Sequence, residues 1–304
     1  MKAFTRVLYP TDLSEASLAA APYASAIARW YEGRLTVLHV VPTLEPQIFV
    51  GGGGAPATVV PPVPIDDVRR AMHAAVPADL VAGLDVGFEV RDGAPAAAIA
   101  AFARQDGATL IVMGTHGRSG FDRLIGGSIT EKVLRRAPCP VLTIPPHAAA
   151  RPAGASFSRV LCAVDFSPAS ERAMALGLDL ARQSQGTAAV AHVIEWLPDE
   201  EIRAHAHYNV AEYRAHVQDE AQQRLHALLG DESRAWCEID EVVRVGRAHR
   251  ELLRLAAERD CDLIAVGAQG HGALGQAIFG STTPQVVRGA SCPVLVVSET
   301  ADVG

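Results

Sequence analysis

The chain has 304 residues, of which 49% are hydrophobic and 20% charged, and its formal net charge is −7. This composition excludes collagen-like, coiled-coil and wholly disordered proteins, and the length suits two domains of about 150 residues each. The acidic balance disfavours a broad nucleic-acid-binding surface, because phosphate backbones require clustered cations.

The cysteines and the apolar segments indicate a protein of a reducing compartment. The five cysteines include no CxxC pair, which argues against a disulfide framework or a zinc ribbon. The first residues lack the apolar core of a signal peptide, and no apolar run reaches the ~18 residues that a membrane-spanning helix needs. We therefore expect a cytoplasmic protein that does not enter a membrane.

The first half of the chain alternates predicted strands and helices. Apolar runs predict strands at 6–9, 35–41, 86–91, 109–113 and 140–144, and helical spacing predicts helices at 14–31, 66–76, 96–105 and 128–136. Residues 42–64, rich in glycine and proline, predict a mobile loop. Residues 145–158 then predict a linker.

The second half repeats this order with one change. Strands are predicted at 160–164, 187–194, 237–245, 263–266 and 293–297. A helix is predicted at 168–185, with Ser167 as its N-cap and Pro168 as its first residue. In place of the glycine-rich loop, residues 199–229 predict one long amphipathic helix. The segment from 195 to 241 also carries most of the acidic excess.

A spacing of 153 residues relates the two halves. Gly114, Gly117, Gly127 and Ser128 return as Gly267, Gly270, Gly280 and Ser281, and Asp12 returns as Asp165. The turn glycine Gly93 returns as Gly246, and the run CPVL begins at both Cys139 and Cys292. The repetition predicts a tandem duplication, with domains at 1–147 and 158–304.

Strands that alternate with helices predict an α/β fold: two tandem, doubly wound, parallel five-stranded sheets with helices on both faces. If the strand order is 3-2-1-4-5, the first and fourth strands flank the topological switch point, where such sheets bind ligands. Asp12 and Gly114 each follow one of these strands and are expected at that edge.

The glycine stretch from 114 to 130 lies between a strand and a helix, where backbone N–H groups can hold phosphate. Gly127, Ser128 and Ile129 would present consecutive donors at the helix start. The alternative is a structural loop that closes the sheet edge. For Asp12 and Asp165, the alternative is an acid that stabilises the following helix.

The chain resembles the tandem form of the universal stress protein family. The family's ATP-binding signature G-x2-G-x9-G-[ST] matches Gly114, Gly117, Gly127 and Ser128, and again Gly267, Gly270, Gly280 and Ser281. The aspartate after the first strand, the turn Gly93-Ala94-Pro95 and the two CPVL strands match as well. The resemblance covers essentially the whole chain.

The resemblance implies that adenine meets the backbone of Val40 and that Asp12 holds the base and ribose side. The glycines and Ser128 would wrap the phosphates, with the same roles in the second half. The implied ATP-binding residues, with Mg²⁺ as a candidate companion ion, are Pro10, Thr11, Asp12, Val40, Met113, Gly114, His116, Gly117, Arg118, Gly127, Ser128, Ile129, Thr130, Asp165, Val193, Val266, Gly267, Gly270, His271, Gly280, Ser281, Thr282 and Thr283.

The two copies differ in charge. Arg118 can add a cation over the phosphates, whereas His271 stands at its position in the second half, with Gln269 for His116 and Pro284 for Glu131. We therefore expect tighter ATP binding in the first domain.

Other chemistry receives less support from the residues. Glu212, His216 and Glu220 share one helix face and could hold a metal, but an acidic, solvated helix is the simpler interpretation. The cysteines fit packing better than a redox switch, and His39 and His192 lie within apolar strands. No constellation of base and nucleophile is present, so no catalytic residue is assigned.

The leading hypothesis is an ATP-binding sensor or regulator of stress response with an unknown protein partner. The alternatives are a slow ATPase or phosphotransferase using the same site, and an interaction scaffold without nucleotide. The last strand of each domain is a sheet edge that needs cover. We expect the two edges to pair with each other, and between chains in a homodimer.

Overall fold

The computed structural model describes residues 3–42, 64–115, 128–146, 148, 156–196, 210–230, 234–235, 237–268 and 280–299. In the first half the elements follow in the order β1 (Arg6–Pro10), α1 (Glu15–Leu18), α2 (Ala21–Trp30), β2 (Arg34–Val41), α3 (Ile65–Ala75), α4 (Ala78–Val81), β3 (Asp85–Asp92), α5 (Pro95–Asp106), β4 (Leu110–Gly114), α6 (Ser128–Leu134) and β5 (Val141–Ile144).

The second half repeats the alternation of strands and helices. Its described elements are β6 (Arg159–Ala163), α7 (Pro168–Gln183), β7 (Thr187–Ile194), α8 (Val210–Leu228), β8 (Ile239–Val245), α9 (Ala248–Glu258), β9 (Leu263–Gly267), α10 (Thr282–Gly289) and β10 (Val294–Val297).

One ten-stranded sheet runs through both halves, in the order β3-β2-β1-β4-β5-β10-β9-β6-β7-β8. Each half has the predicted order 3-2-1-4-5, and its strands are parallel. The halves meet where β5 and β10 pair antiparallel, with Leu142 opposite Leu295. The predicted pairing of the last strands is thus confirmed within the chain, and the two five-stranded units form one continuous sheet.

Helices cover both faces of this sheet. On one face, α2 and α7 pack with the strands in a single buried cluster that spans the two halves. On the other face, side chains of α5, α6, α9 and α10 form the second cluster. The strands are apolar along their length because both of their faces are covered.

Aromatic and polar contacts join α2 to the second half. The Tyr31 hydroxyl donates a hydrogen bond to Asp179 of α7. The ring of Phe157 stacks on Tyr23 at a centroid distance of 6.0 Å and meets Trp30 edge-on at 5.9 Å. These contacts hold the helices of the two halves against each other beside the β5–β10 junction.

The predicted elements needed two corrections. The helix predicted over 14–31 is two helices, because Pro22 lies in the first turn of α2 and cannot continue a helix from α1. The helices α4, α9 and α10 were not predicted. The loop predicted at 42–64 and the start of the long helix at 199–209 lie almost wholly outside the described residues.

Candidate functional site

The loop after β1 and the end of β4 lie at the same edge of the sheet. β1 pairs with β4 in parallel, with Val7 opposite Leu110, so Asp12 and Gly114 both follow the carboxyl ends of neighbouring strands. β1 also pairs with β2 on its other side. The structure therefore has these two residues at the switch point, as the sequence predicted.

Asp12 shapes the loop that follows β1. Its Oδ1 accepts hydrogen bonds from the backbone N–H of Ser14 at 3.0 Å and from the Ser14 hydroxyl at 2.5 Å. Ser14 in turn caps α1 by accepting from the N–H of Ser17 at 3.3 Å. Leu13 between them has a φ of 61°, a left-handed conformation uncommon for such a side chain. Asp12 thus has a structural role, because it holds the serine that caps α1, and this role does not depend on a ligand.

Gly114 lets α1 lie directly against the end of β4. A Cβ at Gly114 would stand 2.8 Å from the carbonyl oxygen of Ala16 and 3.2 Å from the Cα of Ser17, closer than side-chain carbons approach. From the other side, the Thr130 hydroxyl donates to the Gly114 carbonyl at 3.1 Å and ties the start of α6 to the strand end. This packing is a reason for glycine that sequence reasoning missed.

The neighbouring residues offer backbone rather than side chains. Val40 and Met113 are buried in the core cluster, so only their main-chain atoms can face a ligand. Thr11 is buried, its N–H donates to the Leu38 carbonyl, and its hydroxyl contacts that of Ser17 at 2.9 Å. Below them burial raises the pKa of Tyr9 to about 12, so this phenol stays neutral.

The second half builds the same constellation. Asp165 Oδ1 accepts from the N–H and the hydroxyl of Ser167, at 3.1 and 2.6 Å. A Cβ at Gly267 would stand 2.8 Å from the backbone nitrogen of Ser170. The Thr283 hydroxyl donates to the Gly267 carbonyl at 2.7 Å. Aspartate, glycine and threonine therefore recur in the same relation at both sites.

The starts of α6 and α10 are the predicted phosphate-binding positions, and the structure describes more residues at α10 than at α6. In the second half, Gly280 donates its N–H to Ala268 at 3.0 Å, and Ser281 is an exposed N-cap whose side chain makes no capping bond. Thr282 is half-buried, as is Val193, whereas the Val266 side chain lies in the core. In the first half, Ile129 is 41% exposed.

Part of the predicted site lies outside the described residues. These positions are His116, Gly117, Arg118, Gly127, Gly270 and His271. Ser128 is the first residue of α6, and nothing is stated about its side chain. The predicted difference between Arg118 and His271 therefore stays a prediction.

A stack of three side chains beside the second site was missed by sequence reasoning. The ring of Phe166 lies 4.6 Å from that of His192, and the Arg224 guanidinium carbon lies 4.1 Å from the Phe166 centroid. His192 Nδ1 donates to the Val164 carbonyl at 2.8 Å. Burial lowers the pKa of His192, and Arg224 lowers it further, although the Val164 contact and Asp165 oppose this.

The cysteines and acidic groups show no further chemistry in the described part of the chain. All five cysteines are free, and burial raises the pKa of Cys139 to about 12 and of Cys261 to about 11. Such thiols stay protonated and unreactive near neutral pH. Among the described residues, which include Glu212, His216 and Glu220, no three histidine, cysteine or acidic side chains are placed to hold a metal.

No helix among the described residues combines the length and the apolar character that crossing a membrane requires.

The fold and its paired edge sites define a tandem α/β protein with one candidate ligand site in each half. The sequence model of the Universal stress protein family matches residues 3–145 and 156–298. The chain therefore belongs to the universal stress protein family, with two family domains in tandem.

One similar protein matches this chain over nearly its whole length, and one solved structure of similar length has the same fold. A universal stress protein of Mycolicibacterium smegmatis is 27% identical over 300 residues, which cover 96% of each chain. The crystal structure of a universal stress protein from Archaeoglobus fulgidus covers 96% of this chain and 97% of its own, with 22% identity and a TM-score of 0.61. A universal stress protein in complex with cAMP covers 47% of this chain and 98% of its own, with 24% identity and a TM-score of 0.35.

Proposed function

We propose that this universal stress protein binds ATP at the carboxyl edge of each half and acts as a nucleotide-dependent regulator in stress response. The observation that carries the proposal is the repeated constellation of an aspartate loop, a strand-end glycine and a helix-anchoring threonine. Packing against α1 or α7 explains the glycine at both strand ends, so these two glycines do not by themselves require a ligand. The two copies, combined with a signature that matches twice, favour a ligand at both edges.

The floor of each site suits a nucleotide. Gly114 and Gly267 have no side chains, and the neighbouring Val40, Met113 and Val266 side chains point into the core. The ligand would therefore meet main-chain atoms, which can pair with an adenine edge and hold phosphates at a helix start. Asp12 and Asp165 each offer a carboxylate for the base and ribose side, and Mg²⁺ would accompany the phosphates.

In this proposal the bound nucleotide acts as a regulatory signal and is not a substrate that the protein turns over. Bound nucleotide shifts the population of surfaces that a regulatory protein or a second chain can bind. We assign no catalytic residue. The five free thiols fit a reducing compartment, and we propose the cytoplasm.

One experiment tests the proposal directly. The purified full-length protein is denatured, and the released nucleotide is identified and counted per chain; ATP, ADP, AMP and cAMP are then titrated by calorimetry. We expect an adenine nucleotide and two binding events. Gly117→Asp and Gly270→Asp should each remove one event, because a carboxylate repels phosphate.

Gly230→Asp is the matched control, since it adds the same charge at a position where a Cβ would meet nothing within 4 Å. It should keep both events. A wild-type protein that releases no nucleotide and shows no heat with any of the four ligands would contradict the proposal.

A further inference from the structure

A histidine near the end of β2 and its counterpart near the end of β7 make the same hydrogen bond. Nδ1 of His39 lies 2.8 Å from the Thr11 carbonyl oxygen, and Nδ1 of His192 lies 2.8 Å from that of Val164. A carbonyl oxygen can only accept, so Nδ1 carries the proton in both rings. The spacing of 153 residues relates the two hydrogen bonds.

Regular pairing between β1 and β2 would give the Thr11 carbonyl a different donor. The Thr11 N–H donates to the Leu38 carbonyl at 2.9 Å, and in a parallel ladder the carbonyl of the same residue accepts from an N–H two residues further along the partner strand. That donor would be Val40. No such bond joins these two described residues, and the pairing of the strands ends at Pro10 and Leu38.

The Val40 N–H points toward the β1 side of its strand. Successive residues of a strand direct their backbone N–H and C=O groups to opposite neighbouring strands. The Leu38 carbonyl bonds to the residue after β1, whereas the Val41 carbonyl accepts from Gly93, the residue after β3. Val40 has the orientation of Leu38, so its N–H faces the loop of Asp12 and has no acceptor among the described residues.

The second half repeats this interruption of the ladder. The Val164 N–H donates to the Ala191 carbonyl at 2.8 Å, and the Val164 carbonyl accepts from His192. The pairing of β6 with β7 ends one residue earlier, at Ala163. The N–H of Val193 is therefore left in the same position as that of Val40, without an acceptor among the residues that the structure describes.

The histidine also fixes the peptide that leads into the aspartate. In a trans peptide the carbonyl and the following N–H point in opposite directions. The Val164 carbonyl is held by His192, and the Asp165 N–H donates to the Ser170 hydroxyl oxygen at 3.3 Å. The peptide before Asp165 is thus held from both sides.

We propose that His39 and His192 are positioning residues for the base at the two nucleotide sites. Each takes the carbonyl that would otherwise pair with the next N–H of its own strand, so the N–H of Val40 or Val193 stays available to an unprotonated ring nitrogen of the base. A backbone N–H without a partner is costly in a partly buried place, and it therefore favours a ligand that offers an acceptor. This inference rests on the proposed function and adds the residue that controls the donor.

Amide hydrogen exchange of the wild-type protein gives the first test. Without nucleotide, the Val40 N–H should exchange faster than the Leu38 N–H, which lies within the pairing of β1 with β2. ATP should slow the exchange of Val40 and of Val193. If Val40 is as protected as Leu38 without nucleotide, its N–H already has a partner and the inference is wrong.

His39→Leu removes the side-chain donor and lets the Thr11 carbonyl accept from the Val40 N–H. ATP binding at the first site should weaken by about threefold to tenfold, the size of one hydrogen bond. An NMR titration that follows the amides of Val40 and Val193 measures the two sites separately, and the second site should be unchanged. His192→Leu should give the reverse pattern.

His39→Asn is the matched variant, because its side-chain amide places a donor at the position of Nδ1. It should keep the wild-type affinity. In His39→Leu without nucleotide the Val40 N–H should exchange more slowly than in the wild-type protein, since it gains the Thr11 carbonyl. A general loosening of the fold would instead speed that exchange, and this result would contradict the inference.

The outcomes separate the two proposals. If the wild-type protein binds ATP at both sites but His39→Leu leaves the first site unchanged, this inference is wrong and the proposed function stands. An equal loss in His39→Leu and His39→Asn would also overturn it, because the effect would not depend on the donor. If ATP shifts neither amide of the wild-type protein and produces no heat, the proposed function and this inference are both wrong.

Discussion

Gly114 and Gly267 each end a central strand beneath the first turn of a helix. Replacing Gly114 by alanine places a Cβ 2.8 Å from the carbonyl oxygen of Ala16, so α1 must move away from β4. We expect a loss of about 1–3 kcal/mol in the free energy of unfolding, the usual range for an overpacked site. Thermal or urea unfolding without nucleotide measures it.

Gly230→Ala is the control for Gly114→Ala. No atom lies within 4 Å of the added Cβ there, and Gly230 does not have a positive φ. Its unfolding midpoint should stay the same or rise slightly, because alanine reduces the freedom of the unfolded chain. Equal midpoints for the two variants would show that the close approach of α1 does not require glycine.

His192 predicts a pH dependence of stability. Its folded pKa is lowered from 6.5, chiefly by burial, so the unfolded chain takes up a proton at higher pH than the folded one. The stability tied to this histidine is complete above pH 6.5 and is lost as the pH falls below it. Urea unfolding at pH 7.5 and pH 5.0 measures the loss.

His192→Asn should reduce that pH dependence. The asparagine amide can donate to the Val164 carbonyl in place of Nδ1, which now does so at 2.8 Å, but it does not titrate. The wild-type protein should therefore lose more stability between pH 7.5 and pH 5.0 than the variant. If both proteins lose the same amount, His192 does not carry a lowered pKa.

At the scale of elements, the two serines at the starts of α7 and α10 differ: one side chain caps its helix and the other does not. Ser167 caps α7 in a reciprocal capping box with Ser170, whereas Ser281 at the start of α10 makes no side-chain capping bond. Ser167→Ala should cost about 1 kcal/mol of unfolding free energy. Ser281→Ala should leave it unchanged, as thermal unfolding without nucleotide would show.

The same serine pair carries a second comparison. If Ser281 binds phosphate as proposed, Ser281→Ala weakens nucleotide binding at the second site while its unfolding midpoint is unchanged. A variant with a lowered midpoint and normal binding would mean that Ser281 is a cap after all.

The sequence predicted the elements well where a local pattern determines them. Apolar runs and a repeat of 153 residues sufficed for the strands and for the position of Asp12 and Gly114 directly after two of them. The strand order 3-2-1-4-5 is the expectation for a doubly wound sheet, and the structure has it. The break at Pro22 was also readable from the sequence, because proline cannot continue a helix, and it was overlooked. These are local signals and need no tertiary context.

Other features depend on contacts that spacing cannot reveal. The need for glycine at position 114 arises from the Ala16 carbonyl, which a residue pattern does not locate. The stack of Arg224, Phe166 and His192 joins three elements separated by up to 58 residues in sequence.

At the scale of the whole molecule, a hydrogen bond between Tyr31, which follows α2, and Asp179 of α7 joins the two halves in addition to the β5–β10 pairing. Tyr31 donates to Asp179, which also pairs with Arg182 at 2.6 Å, and burial raises the pKa of Tyr31 above its ordinary range. Tyr31→Phe should lower the free energy of unfolding by about 1–2 kcal/mol, since it removes a hydrogen bond to a charged acceptor. Urea unfolding measures this loss.

A double-mutant cycle with Asp179→Ala, which removes the acceptor, isolates the pair. If the tyrosine and the aspartate act through each other, the combined loss is smaller than the two single losses added together. Strict additivity would mean that the hydrogen bond contributes nothing to the attachment of the two halves.

The contact between Tyr31 and Asp179 also has a consequence for partner choice. At the spacing of 153 residues the mirrored pair would be Ser184 and Ala26, which cannot form this bond. A true two-fold dimer of either half would therefore lose it: two copies of the first half would bring tyrosine to alanine, and two copies of the second would bring serine to aspartate. The tandem chain therefore makes this contact once, and the interface between its two halves is not symmetric at that point.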